Sequence, residues 1–153
     1  MTTSTNGQLS FGILFEEGFE FPWDSEKYSS DIEDWWMDIR GFVNPLPNPF
    51  DEDGNYKPGF SDEDGAQYFL EIRKWCRDNP AVPVELVNYC SGDYPMFILA
   101  AKTKTVSRGY PEEISPEFFA DTEEAYQTLM AFVEEFGIAY EGEPKWYLSS
   151  YWG

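Results

Sequence analysis

The sequence contains no histidine. That absence removes serine–histidine–aspartate and cysteine–histidine nucleophiles, the usual imidazole general base and nearly every catalytic zinc site. Basic residues are scarce as well: 10 Lys and Arg stand against 29 Asp and Glu, for a net charge of −19. Free nucleic acid and anionic membrane are therefore poor partners, because binding them takes clustered cations that displace counterions. Only two cysteines occur, Cys76 and Cys90, without C-x-x-C spacing. Both read as small buried side chains of a reduced, cytoplasmic protein rather than as a disulfide or metal framework. The longest apolar stretch, Met96 to Ala101, is far short of the roughly 20 residues of a membrane-spanning helix. A basic region followed by an apolar run is missing from the N-terminal residues, so no secretion signal is expected.

What is present is apolar and aromatic material in quantity. At 42% hydrophobic and 19% aromatic, the chain is too rich in core-forming side chains to be a disordered acidic tail. Its 153 residues suit one domain. The first eight residues, MTTSTNGQ, lack apolar content and read as a flexible polar leader, which leaves 9–153 as the folded part.

The hydrophobic periods assign the elements. Leu9, Phe11, Ile13 and Phe15 alternate with their neighbours as a strand with one buried face. Ile32, Trp35, Trp36 and Ile39 recur at helical spacing behind a capping box from Ser30 to Glu33, with Gly41 as a stop. Prolines 45, 47, 49 and 58 make the next stretch a surface loop. A second helix is predicted from Ser61 to the Asn79-Pro80 stop, with Ala66, Phe69, Ile72 and Cys76 inward, widened by Tyr68, Leu70 and Trp75. Two apolar runs follow, hinged at Ser-Gly-Asp-Tyr-Pro, then the basic strip "KTKTVSRG". Ser115-Pro116 opens a short turn, and a third helix behind an Asp121–Glu124 capping box carries Tyr126, Leu129, Met130 and Val133 to a Gly137 cap. "KWYLSSYW" closes the series as a strand. The order β, α, α, β, β, α, β, with no internal repeat or linker, predicts a single α+β domain with a mostly antiparallel sheet packed with about three helices.

Few motifs carry chemistry. Cys90 and Ser91 precede the hinge where an enzyme might display a nucleophile, but "CSGDYP" lacks the G-x-S-x-G spacing of an elbow and no base is in view. It reads as a turn, with Gly92 free to take positive φ. "DEDGNYKPGFSD" sets Asp51, Asp53 and Asn55 at positions 1, 3 and 5 of a calcium loop, then fails: Tyr56 stands where the loop needs glycine, and Asp62 where it needs a bidentate glutamate. An acidic turn is expected there. Neither a P-loop nor a Rossmann glycine pattern occurs, so no cofactor, catalytic residue or metal ligand is assigned.

Charge distribution is the informative feature. Residues 1–64 hold 15 acids and 3 bases, a net of −12, and residues 16–38 hold nine acids against Lys27 alone. Asp31, Asp34 and Asp38 accompany the first helix, approached by Glu16, Glu17, Glu20, Asp24 and Glu26. Like charges on a rigid scaffold repel one another, and solubility needs a net charge of only about 2–8 in magnitude. Docking on a basic protein surface compensates that cost. An alternative site is the strip Lys102, Lys104 and Arg108, which has the chemistry to receive a phosphate or small nucleotide, or to neutralise the protein's own acids. Trp23, Phe50, Tyr56, Phe60 and Tyr110 lie in Pro- and Gly-rich segments and are candidate exposed anchors.

The phrases "FPWD", "DIEDWW" and "PVELVNYCSGDYPMFILA" resemble small acidic accessory proteins of tailed bacteriophages that carry no assigned activity. The resemblance implies a protein made in an infected bacterial cytoplasm, where such proteins bind and block host or defence proteins, some by mimicking the charge of nucleic acid. The expectation is a non-enzymatic binder of the basic surface of a nucleic-acid-handling protein. The competing expectations are a nucleotide-sequestering protein using Lys102, Lys104 and Arg108, and a carboxylate-dependent Mg²⁺ or Ca²⁺ enzyme.

Overall fold

The computed structural model of the protein describes residues 5–91 and 93–152. Its elements follow the expected order: β1 (Thr5–Phe15), α1 (Ile32–Ile39), α2 (Asp62–Asp78), β2 (Glu85–Ser91), β3 (Pro95–Val106), a 3-10 turn (Pro116–Phe119), α3 (Thr122–Glu135) and β4 (Lys145–Trp152). The α+β class, three helices and a mostly antiparallel sheet are as the periodicities predict. The chain gathers into two compact units, 1–32 with 83–153, and 33–82. No helix among the described residues is long and apolar enough to cross a membrane.

In the first unit the four strands close into a small barrel in the order β1-β3-β2-β4. β1 pairs antiparallel with β3 and with β4, β2 pairs antiparallel with β3, and a short parallel pairing of Cys90 with Tyr151 and Ser91 with Trp152 closes the ring. The polar leader is corrected at its C-terminal end. Thr5–Gln8 belong to β1, because the backbone groups of Gly7 and Gln8 are paired on both sides, to Val106 and Thr105 and to Ser150 and Ser149. Residues 1–4 lie outside the described residues.

Strand alternation then separates two faces. Phe11, Ile13, Phe15 and Leu99 face outward from the barrel and form a core with Leu129, Phe132 and Val133 of α3, all buried. Burying side chains of this kind contributes roughly 1.5–3 kcal/mol each. The other face turns inward, where Val87, Ile98 and Ala100 pack together with Tyr89 and Tyr147. Its continuation toward one end is polar: Ser10 stands between Thr103 and Tyr147, and Gln8 between Thr105 and Ser149. Between Phe11 and Gly12 the register of β1 on β3 shifts by one residue, so Ala101 bulges. Glycine is required at position 12, where an added Cβ would meet Leu99 O at 2.2 Å.

The hinge at Ser-Gly-Asp-Tyr-Pro is the link of the β2–β3 hairpin, with Cys90 paired to Pro95. Gly92, which read as free to take positive φ, lies outside the described residues. Cys90 itself takes φ +73, a conformation uncommon for a side-chain-bearing residue. Both cysteines are exposed, not buried. Cys76 lies in the last turn of α2, its Sγ 4.0 Å from Met37 Sδ, and Cys90 is the penultimate residue of β2.

α3 begins one residue after Asp121, but the capping box expected there does not form. Asp121 sits at φ −98, ψ 19, makes no side-chain cap hydrogen bond, and its carboxylate accepts instead from Lys102. The helix ends as expected at Gly137, whose φ of +62 lets the Ile138 N–H reach Val133 O at 2.9 Å.

In the second unit, Trp35 and Trp36 of α1 are buried, and Trp36 Nε1 donates to Pro80 O at 3.0 Å. Ser30 does not cap α1: its φ of +61 is left-handed rather than extended, and Asp31 precedes the helix. α2 starts after Ser61 as expected, with the Asp64 carboxylate accepting from Ser61 N and Oγ at 2.7 and 2.9 Å. Its inward face differs from the expected one. Gly65 is buried, with Tyr68, Ile72 and Trp75 half-buried on the same side, whereas Ala66, Phe69 and Cys76 are exposed. The proline-rich loop causes the difference, because Tyr56 lies directly over the Gly65 backbone and sets which side of the helix is covered. The acidic turn before it is held by Asp51, whose Oδ1 accepts from the N–H groups of Asp53 and Asn55.

Candidate functional site

The acidic segment that follows β1 is shaped by the aromatic residues set among its acids. In "EEGFEFPWD", Phe19, Phe21 and Trp23 turn inward while Glu16, Glu17, Glu20 and Asp24 stay exposed. Phe15, Phe19 and Phe21 form a triangle of rings 4.5–4.9 Å apart. Phe21 stacks on Trp23 at 4.9 Å and 5°, and Trp23 reaches Phe132 of α3 at 6.4 Å. Trp23 is 0% exposed, so it is not the exposed anchor its Pro-rich setting suggested; it is the pin that fixes the segment to the core. Of the other candidate anchors, Phe50 and Phe60 are half-buried, while Tyr56 and Tyr110 are exposed.

All eight carboxylates singled out from the sequence are exposed. Glu16, Glu17, Glu20, Asp24, Glu26 and Asp31 belong to the first unit. Asp34 and Asp38 belong to the second, one turn apart on α1. Asp24 has a structural duty besides, its Oδ2 accepting from Phe21 N at 2.9 Å to close the turn over Pro22.

Glu16 also borders a cavity of about 610 Å³ that sequence reasoning missed. Glu141 and Glu143 join it there, with Phe19, Tyr140 and Tyr147 supplying aromatic surface and Lys145 the one cation among the described residues. Carboxylates beside aromatic faces are complementary to an arginine or lysine side chain, which gains from both charge and ring quadrupole. The signal in the sequence was "YEGEP", an acidic turn just before β4; pairing of Gly12 with Lys145 carries it to the end of β1.

The basic strip divides. Lys102 and Lys104 share the outer face of β3, and each is engaged by the protein's own acids. Lys102 Nζ lies 2.6 Å from Asp121 Oδ1, donates to Phe118 O and stands 4.2 Å from the Phe118 ring centroid. Lys104 Nζ lies 2.9 Å from Glu112 Oε2. The Asp121 carboxyl is held below its ordinary range, chiefly by the hydrogen bond from Lys102. Arg108 follows the strand in an exposed turn. This geometry is charge neutralisation within the fold, and it leaves the two lysines poorly placed to receive a phosphate.

Among the described residues no three His, Cys, Asp or Glu side chains converge as a metal-binding group. No family model matches the chain, and no curated protein or solved structure matches it.

Proposed function

We propose that the chain is a non-enzymatic acidic binding protein that docks on the basic surface of a nucleic-acid-handling protein and competes with its DNA or RNA. The observation that carries this reading is the carboxylate-rimmed, aromatic-lined cavity at Glu16, Glu141 and Glu143, which opens beside exposed acids on a segment pinned by Trp23. A pinned segment loses little conformational entropy on binding, and its field speeds encounter with a cationic surface. The resemblance to phage accessory proteins supports an infected bacterial cytoplasm as the setting and an inhibitory outcome.

The test immobilises the protein, passes nuclease-treated bacterial lysate over it, elutes with salt and identifies what was retained. The reading expects one nucleic-acid-binding protein, displaced by duplex DNA or by RNA, and lost when Glu16, Glu17 and Glu20 are changed to Lys in a variant that melts like the parent. Changing Glu141 and Glu143 to Gln should weaken the same complex on the order of tenfold, about 1.4 kcal/mol. Indiscriminate retention of basic proteins, or retention indifferent to these substitutions, would show that the acids are only a solvated surface.

A further inference from the structure

The inner face of the barrel poses a separate question. Ser10 is 0% exposed, yet its Oγ meets no hydrogen-bond partner among the described residues. A buried hydroxyl left unpaired has given up its hydration without replacement, so a fold retains one where something else makes use of it. Ser10 helps to line a cavity of about 330 Å³ at the polar end of the barrel. Strand register gathers the other polar groups around it. Thr103 is its direct neighbour on β3, and Gln8 and Thr105 form the next pair along the same face. Glu85 from β2 accepts from Thr103 Oγ1 at 2.8 Å, Gln8 Oε1 is 3.4 Å from the donating Ser149 hydroxyl, and Tyr151 brings a ring to the lining.

We infer that this end of the barrel is a binding site for a small, uncharged, polyhydroxylated molecule of monosaccharide or cyclitol size. The volume sets the size: at about 30 Å³ for each water displaced, the cavity holds on the order of eleven non-hydrogen atoms. The lining sets the class. Hydroxyls, the amide residues Gln8 and Asn88 and one carboxylate among the described lining residues supply both donors and acceptors, and Tyr151 offers an apolar face for a ring edge. Among the described lining residues the one formal charge is that of Glu85, so phosphorylated and carboxylated ligands are repelled. The Ser10 hydroxyl gains its missing partner from the ligand. This site is distinct from the acidic segment and does not depend on the docking proposed above.

The experiment is calorimetry of the full chain with D-glucose, D-galactose, D-mannose and myo-inositol, with glucose 6-phosphate as the charged comparison. At least one neutral probe should bind saturably, with the phosphate ester at least tenfold weaker. Ser10→Ala should melt no lower than the parent, since it removes an unpaired buried group, and should bind that probe about tenfold more weakly. Thr103→Val and Glu85→Gln should weaken it similarly, while Lys104→Gln on the opposite face of β3 should not. The inference is overturned if none of the four neutral probes saturates at tens of millimolar, if glucose 6-phosphate binds as well as glucose, or if Ser10→Ala binds as the parent does.

Discussion

Lys102 and Asp121 are joined across 19 residues of sequence, Nζ to Oδ1 at 2.6 Å, by a strand that presents the cation and a helix start that presents the acid. The pair fixes the 3-10 turn and the start of α3 against β3, with Phe118 lying between Lys102 and Lys104.

Because Lys102 holds the Asp121 carboxyl below its ordinary range, the pair's contribution to stability is fully present above the unfolded aspartate pKa of about 3.9. It is lost as pH falls through the lower, folded value. Thermal melts of the parent and of Lys102→Met should therefore differ by a constant amount from neutral pH down to about pH 5, and the gap should narrow as pH falls below about 4, leaving the part due to the Phe118 contacts. A gap that stays constant down to pH 2 would mean that the lysine acts through its hydrocarbon stem and the Phe118 carbonyl alone.

Gly65 and Tyr56 give a prediction whose sign depends on background. A Cβ at position 65 would lie 2.5 Å from Tyr56 Oη and 3.0 Å from Cε1, while the Tyr56 ring is itself packed 4.9 Å from Phe50. In the parent, Gly65→Ala should displace Tyr56 and lose the roughly 1 kcal/mol that alanine otherwise gains in a helix, leaving a neutral or lower stability. With Tyr56→Ala already present, the same change should stabilise by about 0.5–1 kcal/mol. Equal effects in the two backgrounds, read by urea denaturation, would contradict the packing described.

Trp23 stacks on Phe21 and is fully buried, so Trp23→Ala should cost about 3–5 kcal/mol. Hydrogen exchange should show the loss concentrated in residues 16–31 rather than in the barrel. Uniform loss of protection would show that the segment and the barrel open as one.

A net charge of −19 makes salt a stabiliser. Raising NaCl from 10 to 150 mM shortens the screening length from about 30 to about 8 Å and relieves self-repulsion. The melting temperature should rise, by about 2–4 °C for each kcal/mol relieved. A fall would mean that the ion pairs of Lys102, Lys104, Lys74 and Arg77 outweigh the repulsion among the acids.

Much of this fold was legible because its two periods are clean: Phe11, Ile13 and Phe15 at two, Ile32 with Trp35 and Trp36, and Leu129 with Val133, at helical spacing. Closure of the barrel was not, since it rests on the Cys90–Tyr151 and Ser91–Trp152 pairs, which no local pattern announces. Polarity misled at Gln8, which read as the end of a flexible leader, and at Ser10, which read as the solvent side of a strand; both line an interior. On α2 a hydrophobic count favoured Ala66 and Cys76, whereas the covered side was chosen by the absence of a side chain at Gly65. The acids of the candidate site were visible, but the meeting of Glu16 with Glu141 and Glu143 required the pairing of the first strand with the last.

That pairing has a consequence for the order in which the protein is made. β1 leaves the ribosome first, and one of its two partners, β4, is synthesised last. At roughly 5–20 residues per second, "LSFGILF" waits on the order of ten seconds for that neighbour, an alternating strand with an open edge. Glu16, Glu17 and Glu20 follow it immediately, where charged gatekeepers suppress association between nascent chains. The acids proposed to meet a partner in the finished molecule thus also stand where charge disfavours pairing of the first strand's open edge with another chain until the last strand covers it.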